Sequence, residues 1–108
     1  MNRLRTNYTY SGVYAIVNRV NGKRYIGSSE NIDGRVGDHK SKLKRGTHIS
    51  KDLQADYNNG HNFVFDVLYV EAVMHDNRSN NRQRLYQIER EYIKKYNSIE
   101  TGYNNSPI

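Results

Sequence analysis

The chain has 108 residues, enough for one domain with a modest core, and a formal net charge of +6 with a pI near 9.6. It has no cysteine, which excludes disulfides and thiolate metal sites, and no apolar run approaches the roughly 20 residues that span a bilayer. Only 35% of the residues are hydrophobic, so ten tyrosines must supply much of the core. The positive surplus favours a polyanionic partner, most simply nucleic acid, with a basic but otherwise ordinary surface as the alternative of similar weight.

Residues 1–10 read as a polar lead-in. Arg3 and Arg5 precede no apolar stretch, so the segment is not a signal peptide and the expectation is a cytoplasmic protein without a membrane partner. Two near-mirror tripeptides follow, Gly12-Val13-Tyr14 and Tyr25-Ile26-Gly27, with Asn21-Gly22 between them as a tight-turn signal. They predict antiparallel strands over 12–18 and 23–28, with Tyr14 and Tyr25 brought together on one sheet.

Ser29 or Asn31 can cap a helix that runs to Arg45 and closes at Gly46. Gly34 and Gly37 each cost it roughly 1 kcal/mol. A second helix over 48–58 is expected to turn Ile49, Leu53 and Tyr57 to one face. Phe63 to Val70 reads as a strand buried on much of both faces. Residues 71–80 read as a loop and 81–96 as a final helix. The order predicts an α+β domain over 11–108, a small three-stranded antiparallel sheet with an N-terminal hairpin, flanked by helices.

The final helix separates two acids. At about 100° per residue from Leu85, Ile88, Tyr92, Tyr96 and Ile93 form one apolar stripe. Glu89 falls inside that stripe and Glu91 well outside it. A carboxylate among core-facing side chains needs a cation, a hydrogen-bond donor or a metal ion. For Glu89 the wheel alone leaves an arginine pair and a metal ion equally open.

On the first helix Arg35, His39 and Lys42 share one edge, beside the apolar positions Ile32, Val36 and Leu43. Arginine's planar fork suits a phosphate, though a lone arginine or histidine in such a place is more often structural. Lys40, Lys42, Lys44 and Arg45 extend a basic strip suited to a phosphate backbone, or simply form a solvated face. His48 opens the second helix, where unpaired N–H groups favour anions. His61 and His75 have no identifiable partner, and the four histidines lack zinc-ligand spacing.

Gly12-Val13-Tyr14, Tyr25-Ile26-Gly27, Arg35-x-x-x-His39, Glu89 and Asn104 together resemble the GIY-YIG endonuclease superfamily over residues 11–104. The stretches Lys44-Arg45-Gly46-Thr47-His48, Ile88-Glu89-Arg90-Glu91 and Gly102-Tyr103-Asn104 look most like the catalytic domain of phage intron-encoded homing endonucleases. Val13 departs from the name-giving isoleucine and keeps its β-branch. The resemblance implies metal-dependent hydrolysis of DNA phosphodiesters in a bacterial or phage-encoded protein. It implies Tyr14 as general base, aided by Tyr25, with its ionised form favoured by Arg35, His39 or the metal. It implies Arg35 on the phosphoryl oxygens, Glu89 on Mg²⁺ or Mn²⁺, and His39 and His48 in proton transfer or phosphate binding. Asn104 would position one of these groups. DNA is the one partner implied; no obligate protein partner is evident. Homing enzymes of this kind carry a separate DNA-binding region after this domain, so the expectation is either a domain excised from a longer protein or one that acts alone with weak sequence preference. The alternative is a catalytically inert nucleic-acid-binding module, in which tyrosines stack on bases.

Overall fold

A computed structural model describes residues 10–72 and 78–104, with the side chains of 72 and 78–81 outside the description. Most of the lead-in, part of the 71–80 segment including His75, and the last four residues lie outside the described residues. The elements in chain order are β1 (Tyr10–Asn18), β2 (Arg24–Ser29), α1 (Ile32–Arg45), α2 (Lys51–Asn58), β3 (Phe63–Ala72) and α3 (Arg78–Tyr96). The three strands form one antiparallel sheet in the order β2-β1-β3. The first strand is therefore central, and both later strands hydrogen-bond to it.

The hairpin joins β1 and β2 as the paired tripeptides predict, placing Tyr14 opposite Gly27 and Ile16 opposite Tyr25. Its turn is wider than a two-residue Asn-Gly hairpin. Asn18 N–H donates to the Lys23 carbonyl at 2.9 Å, and Gly22 N–H donates back to Asn18 at 2.8 Å.

Strand alternation sends the two faces of the sheet to different helices. Tyr14 and Ile16 pack with Leu43 of α1, Leu53 of α2 and Tyr103. Val13, Ala15 and Ile26 pack with Ile93 of α3, flanked by Ile88, Tyr92 and Tyr96. Leu85 and Ile93 are buried, Glu89 is 4% exposed and Glu91 is exposed, as the wheel requires.

The caps of α1 follow the sequence. The Asn31 side chain accepts from Gly34 N–H, and Gly46 closes the helix in the left-handed region. The second helix begins later than expected, at Lys51, with Ser50 as its N-cap. Ile49 thus precedes the helix and is 74% exposed, not part of its buried face. The third strand is not buried on both faces either. With β1 in the middle, β3 has one strand neighbour, and Asp66, Val67 and Val70 are exposed. It also runs further than expected, to Ala72, and α3 begins at Arg78.

The register between β1 and β3 shifts at Val13/Tyr14, a bulge that brings the Tyr69 carbonyl over Gly12. A Cβ at position 12 would lie 1.9 Å from that oxygen. The first glycine of the paired motif is thus required by backbone proximity. After α3 the chain returns along the outer side of β2, where Tyr103 N–H donates to the Arg24 carbonyl at 2.8 Å.

Candidate active site

Tyr14, Tyr25, Arg35, His39, His48 and Glu89 all border one cleft of about 260 Å³. Tyr14 comes from the central strand, Tyr25 from the edge strand, Arg35 and His39 from α1, His48 from the α1–α2 connection and Glu89 from α3. Lys42 also reaches this cleft. Two larger grooves lie elsewhere. One of about 640 Å³ runs along α3 by Arg90 and Lys94. The other, about 530 Å³, lies between α1 and β3 and is bordered by Lys40, Lys44 and Phe65. Neither brings a tyrosine hydroxyl, a buried carboxylate and an arginine together, so the smaller cleft is the candidate site.

The basic strip of α1 therefore divides. Lys42 belongs to the cleft, Lys40 sits with its ammonium 5.3 Å from the Phe65 ring centre, and Arg45 donates to Ser41 Oγ at 2.6 Å. Arg35 is exposed at the cleft edge, while His39 is 6% exposed and sits deeper than the rim.

Hydrogen bonds and ring packing join the aromatic side chains of the cleft. Tyr14 Oη lies 2.7 Å from His39 Nε2, and His39 Nδ1 lies 2.7 Å from His48 Nε2. The two imidazoles are stacked with centres 4.9 Å apart, and Tyr25 packs edge-on to both. Burial pushes His39 down to about 4, helped by His48 and Arg35, so the ring is neutral near pH 7. Burial and Lys42 push His48 down as well.

The tyrosines move the other way. Burial raises Tyr14 well above its ordinary value, with Tyr25 adding to the rise and Arg35 opposing it. Burial, then Glu89, raises Tyr25, again against Arg35. Arg35, His39 or the metal is expected to favour the ionised tyrosine, and the two side chains do not by themselves offset the burial of Tyr14. Arg35 acts in that direction but is outweighed by desolvation, and neutral His39 offers a hydrogen bond instead of a charge.

Glu89 receives the Ser28 hydroxyl on Oε1 at 2.5 Å. Burial raises its pKa, against the Ser28 bond and Arg90. Among the described residues no group of three or more His, Asp or Glu side chains could hold a metal ion. The donor set is one carboxylate bordering the cleft, which fits a hard divalent cation that keeps most of its waters.

Asn104 stands outside the cleft. Its side-chain amide accepts from Ile26 N–H at 2.8 Å and donates to the Ile26 carbonyl at 2.9 Å. It grips the main chain between Tyr25 and Gly27, not a catalytic side chain as expected. Ser98 Oγ donates to the same Asn104 oxygen at 2.8 Å.

Three residues were missed in the sequence. Ser28 holds Glu89. Gln54 accepts from His48 N–H and donates to the Leu43 carbonyl, each at 3.0 Å. Ser50 donates its N–H to His48 Nδ1 at 3.0 Å. Only Ser50 carried a signal, as a helix-capping residue. His61, which has no identifiable partner in the sequence, meets Asn18 Nδ2 at 2.8 Å and does not border the cleft.

Comparison with known proteins agrees with this geometry. Residues 10–104 match the GIY-YIG catalytic domain family. The chain is 33% identical over 94 residues to intron-associated endonuclease 1 of Enterobacteria phage T4, covering 87% of this chain. It spans 36% of that relative's length. Two solved structures of the catalytic domain of intron endonuclease I-TevI superimpose on it. One, a variant, has TM-score 0.78 at 30% identity, covering 93% of this chain and 97% of that one. The other has TM-score 0.75 at 31% identity, covering 89% and 98%. No helix among the described residues is long and apolar enough to cross a membrane.

Proposed function

Because this chain belongs to the GIY-YIG catalytic domain family, we propose that it is an endonuclease domain that hydrolyses DNA phosphodiesters with a divalent metal, Mg²⁺ or Mn²⁺. The observation that carries the reading is the buried Glu89, set in the same cleft as Tyr14, Arg35 and the His39–His48 pair. A surface that merely binds nucleic acid has no use for a desolvated carboxylate.

Tyr14 is the general base for an attacking water. Tyr25 borders the same space and steadies the imidazole pair through edge-on packing. Arg35, exposed at the cleft edge, meets the phosphoryl oxygens where negative charge builds. Lys42 extends that positive wall. Lys40, Lys44 and Arg45 hold flanking phosphates without reading sequence. Asn104 acts indirectly by fixing the strand that carries Tyr25. Glu89 would hold the divalent ion, which supplies positive charge beside the phosphate and toward ionising Tyr14. Recognition of a particular target belongs, in this reading, to chain beyond this domain.

Plasmid nicking with Mg²⁺ and with EDTA, for the parent and for Glu89→Gln, is the test. The expected result is cleavage that needs metal and is lost in the variant. Equal cleavage by both would remove Glu89 from its role. A folded parent that binds DNA and never cuts would support the inert binding module.

A further inference from the structure

Ser50 is the N-cap of α2, and its hydroxyl is fully engaged. It accepts from Leu53 N–H at 3.3 Å and donates to the Tyr103 carbonyl at 3.3 Å. Its own main-chain N–H points instead at His48 Nδ1, 3.0 Å away. A main-chain N–H can only donate. His48 Nδ1 is therefore an acceptor, and the neutral ring carries its hydrogen on Nε2. That nitrogen lies 2.7 Å from His39 Nδ1, which must then accept. His39 in turn carries its hydrogen on Nε2, 2.7 Å from Tyr14 Oη. Each assignment forces the next.

From this we infer that Ser50 and Gln54 are positioning residues that fix both histidines as Nε2–H tautomers, making the pair a one-way donor chain that ends on Tyr14. Gln54 anchors the His48 main chain to the end of α1, so the ring has a fixed place to face Ser50. Reversing the chain would set the Ser50 N–H against an N–H on His48 Nδ1, and a doubly protonated His39 would set its own Nδ1–H against the His48 Nε2–H. The burial that holds His39 down to about 4 also opposes the second alternative.

The consequence rests on the nuclease reading. His39 donates to Tyr14 and has no lone pair to receive the tyrosine's proton. On ionisation that proton passes to water in the cleft, on the side of Arg35 and Glu89. The proton later drawn from the attacking water ends on Tyr14 Oη as the new bond to phosphorus forms and the leaving oxygen departs. The histidines keep their protons throughout. Their task is to hold a hydrogen bond on the phenolate oxygen.

Long-range ¹H–¹⁵N correlation spectra of metal-free protein labelled at histidine nitrogens test this directly. Near pH 7, His39 and His48 are expected to give the Nε2–H pattern; an Nδ1–H or charged pattern for either overturns the inference. A second test replaces the end of the chain. His48→Gln retains an N–H donor, whereas His48→Glu offers only acceptors and reverses the chain. Turnover on plasmid should fall by about tenfold or less for Gln and by about 10²-fold or more for Glu, with KM changing far less than kcat. Equal losses would overturn the donor role. The spectra stand apart from activity. A parent that never cuts yet gives both Nε2–H patterns defeats the nuclease reading alone, and one that cuts with His39 as Nδ1–H defeats this inference alone.

Discussion

The Tyr14 phenol lies across the Cα of Gly27, its cross-strand partner, so closely that a Cβ at position 27 would sit 2.4 Å from Tyr14 Oη. The last glycine of the paired motif is therefore the floor on which the proposed base rests. Gly27→Ala should push the hydroxyl away from His39 while leaving both core faces packed. Cleavage should fall by about 10²–10³-fold, near the loss for Tyr14→Phe, since both remove the base from its place. Parent-like cleavage by Gly27→Ala would show that the hydroxyl's position does not matter.

Glu89→Gln should trade activity for stability. The carboxylate is 4% exposed and its pKa is raised by burial, so the folded protein holds a charge that water would solvate better. Glutamine keeps an oxygen for the Ser28 hydroxyl and removes the charge. The thermal midpoint at pH 7.5 without metal should rise by a few degrees, as about 1 kcal/mol implies for a domain of this size. A midpoint below the parent's would mean that Glu89 is stabilised by its surroundings and not strained by them.

The histidine pair sets a pH dependence with a definite sign. The unfolded chain protonates His39 near 6.5 and the folded protein near 4. The unfolded state therefore binds more protons in that window, and stability is lost as pH falls through it. His48 adds in the same direction. Glu89 opposes, because its raised value lets the folded state take up a proton first. In a Glu89→Gln background, chemical-denaturation midpoints should drop between pH 7 and 4, and adding His39→Gln should flatten that drop. An unchanged slope would show that His39 is not held neutral by the fold.

Asn104→Ala should loosen the edge strand beneath Tyr25. It strips partners from both the N–H and the carbonyl of Ile26, which is 1% exposed. Two orphaned main-chain groups cost on the order of 2–4 kcal/mol, and the Ile26 amide should exchange much faster with solvent. Parent-like stability and exchange at Ile26 would show that the grip is dispensable.

Much of this arrangement is written in local pattern. Helix caps at Asn31 and Gly46, the hairpin, and the choice of Glu89 over Glu91 follow from spacing within single elements. What spacing cannot encode is which elements become neighbours. The central place of β1 makes β3 a half-exposed edge instead of a doubly buried strand. The contact between His39 and His48 depends on where a short connection folds back, set by Gln54 and Ser50 from the next helix. The upward shift of Tyr14 was likewise out of reach, because it depends on how completely the assembled walls exclude water. The target of Asn104, a main-chain segment 78 residues earlier, left no trace in the residues around it.

The bonds that build and brace the cleft also span long stretches of chain. Tyr14 to His39 covers 25 residues, Ser28 to Glu89 covers 61, and Ile26 to Asn104 covers 78. Closing such loops is entropically costly, so contacts of this kind form late and together in folding. A partly synthesised or partly unfolded chain would have tyrosines, basic residues and a hairpin, but no assembled cleft. On the proposed nuclease reading, this makes completion of the fold itself the step that arms the site.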